Sequence, residues 1–407
     1  MAGESQIDGR GVRRTRLGTV PLAFLILLMS MFGPISTDMC LAGFPQMVVE
    51  FGTEESVLNM ALYMFMLVFA VSMLFLGPLS DKFGRRRILA VTMAIYVVSN
   101  LLASMSEDVW TFIALRMIQA FGAGGAMVTS FSLIKDCFRG RMFMRMLSVV
   151  AVIGVLGPIL APVIGAALIN AFDWRATFMA PAVVGAVCLT LGLLLPGSLP
   201  DDRFTGSVIG AVSNLRKIMR ERAFAAFVVM MCIFIAGQLG YISVSTYVYQ
   251  DQFGLSTTMY SLVLGAACIM GLAIAMVVKR LHLKNLTMVK LMLTLGAIST
   301  LVMFLGAPNA WWLFMLAIVP CSANLTISRI FGFGLLMNHH DGDNGSVSAV
   351  INFTTFMFAF AGMVVASSFP PDLFIQGVGT VMLAACIVFS AMWALVKKRG
   401  YPIKNFL

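Results

Sequence analysis

One carboxylate stands where carboxylates are costly. Asp38 is the only acidic residue well inside an apolar stretch, here Val20–Phe44, in the run Pro34-Ile35-Ser36-Thr37-Asp38-Met39-Cys40-Leu41. An ionised acid at the centre of a bilayer costs roughly +2.5 to +3.5 kcal/mol on insertion scales. Burial favours the neutral carboxyl, so the chemistry open to Asp38 is uptake and release of a proton. Arg116 lies inside a later apolar stretch, with Gln119 one turn on. Two roles suit it: snorkelling to the outer interface, or burial and coupling to the proton site.

Composition says what must position them. The 407 residues are 60% hydrophobic and only 11% charged, against about 25% charged in soluble domains. The chain reads as an all-α, polytopic membrane protein. A net charge of +10 invites nucleic acid as a partner. However, the basic residues form short clusters between apolar spans, as cytoplasmic loops do, so no nucleic-acid partner is expected. The seven cysteines, Cys40, Cys137, Cys188, Cys232, Cys268, Cys321 and Cys386, form no CxxC pair and read as small core residues. The first span is too long for a signal-peptide core and lacks a cleavage-like site, so it is expected to stay as a helix.

A membrane helix needs about 20 apolar residues. Twelve stretches qualify, near 19–44, 56–79, 87–105, 110–136, 143–171, 176–196, 223–249, 257–279, 286–306, 310–335, 345–368 and 374–396. With a cytoplasmic N-terminus, 26 of the 28 Lys and Arg fall on the inside, Arg175 alone outside and Arg116 within a span. That asymmetry places both termini in the cytoplasm. The longest polar connection follows the sixth span and reads as a linker between two halves. The expected organisation is a tail over 1–18, a six-helix bundle over 19–196, a linker over 197–222, a second bundle over 223–396 and a tail over 397–407. A binding site would then lie between the halves near the midplane. The division into halves rests on hydropathy, since no clear repeat is visible.

Three motifs sharpen this. After the second span stands Gly77-Pro78-Leu79-Ser80-Asp81-Lys82-Phe83-Gly84-Arg85-Arg86-Arg87. Gly77 and Pro78 are expected to end one helix, and Gly84 to permit the reversal. This run closely resembles the loop signature of the major facilitator superfamily. Arg116-Met117-Ile118-Gln119 is similar to the family's R-x-x-Q-G, with Ala120 in place of glycine. In the fifth span Gly154, Gly157, Pro158, Ala161, Pro162 and Gly165 share one helical face, suited to close helix approach in lipid. This face resembles the antiporter motif, with Ala161-Pro162 replacing its glycine pair, in the manner of the Bcr/CflA-type drug:proton antiporters. The spacing of Ala267, Gly271 and Ala275 makes the eighth span its expected partner.

The resemblance implies a twelve-helix facilitator fold and a cytoplasmic latch of Gly77, Asp81, Gly84, Arg85, Arg86 and Asp136, with Asp81 approaching the eleventh helix near Gly345. It also implies proton-coupled export of drug-like or metabolite molecules across a bacterial inner membrane, by a monomer that needs no cofactor. Asp38 and Arg116 would couple the proton. Some relatives carry a second acid two turns before the first; here that position is Ser30, which leaves Asp38 alone. Polar residues at mid-span depth are the candidate cavity wall: Tyr63, Gln119, Gln238, Tyr241 and Asn324, besides Asp38 itself. Each could instead make a helix–helix hydrogen bond. The 32 Met and 32 Phe suit adaptable binding as well as simple lipid contact. His339-His340-Asp341-Gly342-Asp343 reads as a solvated loop rather than a metal site. No HExxH, nucleophile elbow or P-loop is present, so an enzyme or ATP-driven pump is not expected. A proton-linked importer and a non-transporting sensor on the same fold are the other readings.

Overall fold

The computed structural model describes residues 17–196, 219–281, 283–332 and 344–399. The described residues are overwhelmingly helical and contain no β-strand. In hydrocarbon a chain must satisfy its backbone internally, and helices do so. Twelve helical elements follow in order: α1 (Thr19–Phe51), α2 (Glu55–Phe83), α3 (Arg85–Ser104), α4 (Val109–Cys137), α5 (Gly140–Ala171), α6 (Ala176–Leu193), α7 (Arg222–Gln252), α8 (Thr257–Arg280), α9 (Asn285–Leu305), α10 (Trp311–Ile327), α11 (Asn344–Ser367) and α12 (Phe374–Arg399).

Among the described residues ten helices are long and apolar enough to span a bilayer, and α5 makes an eleventh when its two arms count as one. Those arms meet at 44°, between Gly154 and Leu156. Pro158 has no N–H to offer the Gly154 carbonyl four residues earlier, which accounts for a bend there. At 17 residues α10 is shorter, and it continues through a π turn, Ser328–Gly332.

Two local expectations need correction. Gly77 and Pro78 do not end α2; the helix runs through Pro78 to Phe83. It stops at Gly84, whose φ of +98° leaves the right-handed region. Inside a bundle the backbone group freed by a proline finds other partners, so the proline is tolerated. The first span is not one continuous helix either. It comprises Thr19–Ser30, Phe32–Asp38, a single turn over Leu41–Gly43, and Phe44–Phe51.

The chain divides into two compact units, Met1–Gly43 with Val68–Ala211, and Phe44–Leu67 with Val212–Leu407. Phe44–Leu67 thus groups with the second unit, although sequence order places it in the first bundle. The connection over 197–218, the tails beyond 17 and 399, and the His339–Asp343 run lie outside the described residues. In the first unit α3 lies against α4 and α6. The approach is close because Gly122 and Gly125 face α3: a Cβ on Gly122 would come within 2.7 Å of the Thr92 carbonyl. In the second unit α7 packs on α10, α11 and α12 around an apolar core that includes Phe227, Phe234, Met292 and Phe389.

Candidate proton-coupling site

Asp38 is the last residue of the Phe32–Asp38 helix, immediately before the break in α1. Every residue from Ile35 to Phe44 is buried. Irregular backbone at membrane depth is tolerated where protein surrounds it. α5 presses on the break: a Cβ on Gly165 would lie 2.0 Å from the Met39 carbonyl oxygen. Two turns earlier on α5, a Cβ on Gly157 would lie 2.8 Å from Pro34 Cγ. Ala161 packs with Ile35 and Met39. The small face of α5 is thus used against α1, and Gly271 of α8 faces Ser322 of α10.

A helix leaves its last four carbonyls without internal partners. In the Phe32–Asp38 helix the Ser36 carbonyl is one of these. It accepts a hydrogen bond from Arg116 Nη1 of α4 at 2.7 Å. Arg116 is therefore not a snorkelling residue; it is fully buried. The same nitrogen donates to Gln119 Oε1 at 2.6 Å, and Phe178 of α6 lies 5.6 Å from the guanidinium carbon. Gln119 Nε2 donates to Asn100 Oδ1 at 2.8 Å, and Asn100 Nδ2 to the Tyr96 carbonyl at 2.8 Å. The Tyr96 hydroxyl returns to Ser36 Oγ at 2.8 Å. The five residues thus close a buried ring linking α1, α3 and α4.

Asp38 borders this ring. Its carboxylate accepts from Thr37 Oγ1 at 2.8 Å, while Arg116 caps the backbone two residues before it. Ser30 shares a 2.8 Å hydrogen bond with Ser130 of α4, so two neutral hydroxyls meet two turns before Asp38. Sequence reasoning had missed Tyr96, Asn100 and Ser36. Their signal was present: Tyr96 and Asn100 are polar, four apart on α3 and hence on one face.

The other candidate wall residues lie in the second unit; Gln238 and Asn324 make helix–helix hydrogen bonds, and Tyr241 makes one within α7. Gln238 Oε1 accepts from Ser322 Oγ at 2.7 Å. Tyr241 shares a 2.9 Å hydroxyl–hydroxyl bond with Tyr249 and stacks 4.7 Å from Phe314. Asn324 Nδ2 donates to the Met292 carbonyl at 2.9 Å. Tyr63 is partly exposed, edge-on to Phe360 at 5.9 Å.

Of the residues expected in a latch, Asp81, Arg85 and Asp136 form a compact charge cluster. Arg85 is buried, pairs with Asp81 through Nη1, and donates from Nε to Asp136 at 2.8 Å. It thereby ties the end of α2 to the end of α4. Gly77 meets Val128 of α4 at ordinary contact distance, while Arg86 is exposed.

The site thus sets a buried acid at a broken helix within a multi-pass helical bundle. The Major Facilitator Superfamily model matches residues 23–366, and the chain belongs to that superfamily. It is 27% identical over 344 residues to the uncharacterized MFS-type transporter YdgK of Bacillus subtilis (strain 168), covering 81% of this chain and 84% of that one. To the multidrug resistance protein MdtL of Vibrio parahaemolyticus it is 27% identical over 243 residues, 60% of this chain and 61% of MdtL. The match therefore spans less than two thirds of that protein. Among solved structures, the peptide transporter POT in complex with sulfate superposes with a TM-score of 0.77 at 14% identity, over 97% of this chain and 98% of that one. A bacterial homolog of the human lysosomal transporter Spinster gives 0.73 at 12%, over 96% and 99%. At such identities the likeness is one of fold.

Proposed function

We propose that this protein is a secondary active exporter of small drug-like or metabolite molecules, driven by exchange for protons through alternating access. The observation that carries the reading is Asp38 at the buried break of α1, two residues after the Ser36 carbonyl that Arg116 holds. Substrate and proton compete for Asp38. With the site open to the cytoplasm, substrate binds the deprotonated form. Open to the outside, Asp38 takes a proton and substrate leaves. Coupling of this kind needs two ligands that exclude one another.

Tyr63 and Gln238 are candidate substrate contacts, and Arg85 with Asp81 and Asp136 the cytoplasmic latch. The protein acts as a monomer in a bacterial inner membrane, with both termini cytoplasmic and no cofactor. MdtL, named as a multidrug resistance protein, supports export over import. One acid implies one proton per cycle. Export of a neutral molecule then moves one charge, worth about 2.3 kcal/mol per 100 mV.

Proton release from the detergent-solubilised protein on adding a panel of lipophilic cations and neutral antibiotics tests the competition. Release is expected from the wild type and not from Asp38→Asn. Binding of a compound with no proton released would reject competitive exchange.

A further inference from the structure

Arginine offers only donors, and this fixes the polarity of the arm that runs from Arg116 through Gln119 and Asn100. Gln119 must turn Oε1 to Arg116, so its Nε2 points away, to Asn100 Oδ1. Asn100 must then direct its own N–H₂ to a carbonyl, and Tyr96 O receives it. Asn100 touches neither Arg116 nor Asp38 through any of these bonds. It is nevertheless the α3 residue that accepts from Gln119 Nε2, with Tyr96 of the same helix beside it.

We propose that Asn100 is a positioning residue of the coupling site, holding Arg116 on the Ser36 carbonyl and thereby off the Asp38 carboxylate. This rests on the reading of Asp38 as the proton carrier. With Asn100 in place, Arg116 stabilises the end of the broken helix and leaves Asp38 free to exchange its proton. Without it, Gln119 Nε2 loses its Asn100 acceptor, and Arg116 is released toward the nearest anion. The other titratable groups facing this pair are Cys40 on α1 and Tyr96 on α3. α5 meets the stretch through Gly157, Ala161 and Gly165, none of them titratable. α6 brings Phe178.

The carboxylic-acid C=O stretch of Asp38, read by infrared difference spectroscopy on the purified full chain and assigned by its loss in Asp38→Asn, reports this without any substrate. In Asn100→Leu the midpoint of that band should fall by about one pH unit, a tenfold loss of proton affinity, because a closer cation favours the ionised form. Asn100→Gln keeps both amide functions and should restore at least half the shift. Thr92→Val, on the same helix and outside the ring, should leave the midpoint in place. A lowered melting temperature with an unmoved midpoint in Asn100→Leu would make Asn100 merely structural and overturn the proposal. An equal shift in Thr92→Val would overturn it too. If the wild type shows no titrating Asp38 band, the proton-carrier reading fails instead, and the two failures are distinguishable.

Discussion

Arg116 Nη1 lies 2.7 Å from the carbonyl oxygen of Ser36. The cation thus caps the broken helix that ends at Asp38. Arg116→Ala strands two buried acceptors, Ser36 O and Gln119 Oε1. Each buried group left without its partner costs about 1–3 kcal/mol, so the melting temperature in detergent should fall by several degrees. Arg116→Lys keeps the charge but not the fork, and should recover part of the stability. A melting temperature unchanged in Arg116→Ala would contradict the capping role.

The break itself depends on Gly165. A methyl there would sit 2.0 Å from the Met39 carbonyl, and backbone cannot step aside as a flexible side chain does. Overpacking of this kind costs about 1–3 kcal/mol. Gly165→Ala should therefore displace the segment carrying Asp38 and slow transport more than it lowers expression. Gly154→Ala meets nothing within 4 Å and should be neutral. Equal transport by both variants would reject the α5–α1 contact.

Arg85 is held by two acids at once. In Arg85→Ala, Asp81 and Asp136 face each other without a cation between them. Both reach water, with side-chain exposures of 44% and 14%, so the expected loss is modest, about 1–2 kcal/mol. The additional change Asp136→Asn should recover some of it. Thermal melts of the wild type, Arg85→Ala, Asp136→Asn and the double variant in low salt measure the coupling, and strict additivity would argue against the cluster.

One pH effect follows from a loop residue. Asp108 caps α4, accepting from the backbone N–H groups of Thr111 and Trp110 at 2.9 Å each. The hydrogen bonds from Thr111, then Trp110, hold its carboxyl below the usual 3.8. A carboxyl depressed in the folded protein stabilises above its unfolded value, and that contribution fades as pH falls through the folded one. Between about pH 5 and pH 3 the wild type should lose stability that Asp108→Asn, a neutral cap, does not lose over the same range. Parallel melting curves for the two proteins would contradict this.

Much of the fold was legible because hydropathy and basic clusters mark spans directly. Asp38, Arg116 and the Arg85 cluster stood out because a charge in or beside hydrocarbon is costly and hence conspicuous. The break after Asp38 was not legible, since Met39 and Cys40 continue the apolar run unbroken. Pro78 misled for the opposite reason: it punctuates helices in water, but a bundle accommodates it. Gln238, Tyr241 and Asn324 are buried polar residues. Which neighbour each would bond depends on helix rotation, which composition does not encode. The α3 arm of the ring went unread because neutral Tyr96 and Asn100 look ordinary until Gln119 is placed against them.

The central claim is that proton coupling runs through Asp38. Proteoliposomes under an imposed pH gradient, with ethidium and chloramphenicol among a substrate panel, test it most directly. The wild type should accumulate at least one compound against its gradient, and Asp38→Asn should only equilibrate it. Uphill accumulation retained by Asp38→Asn would remove Asp38 from the mechanism.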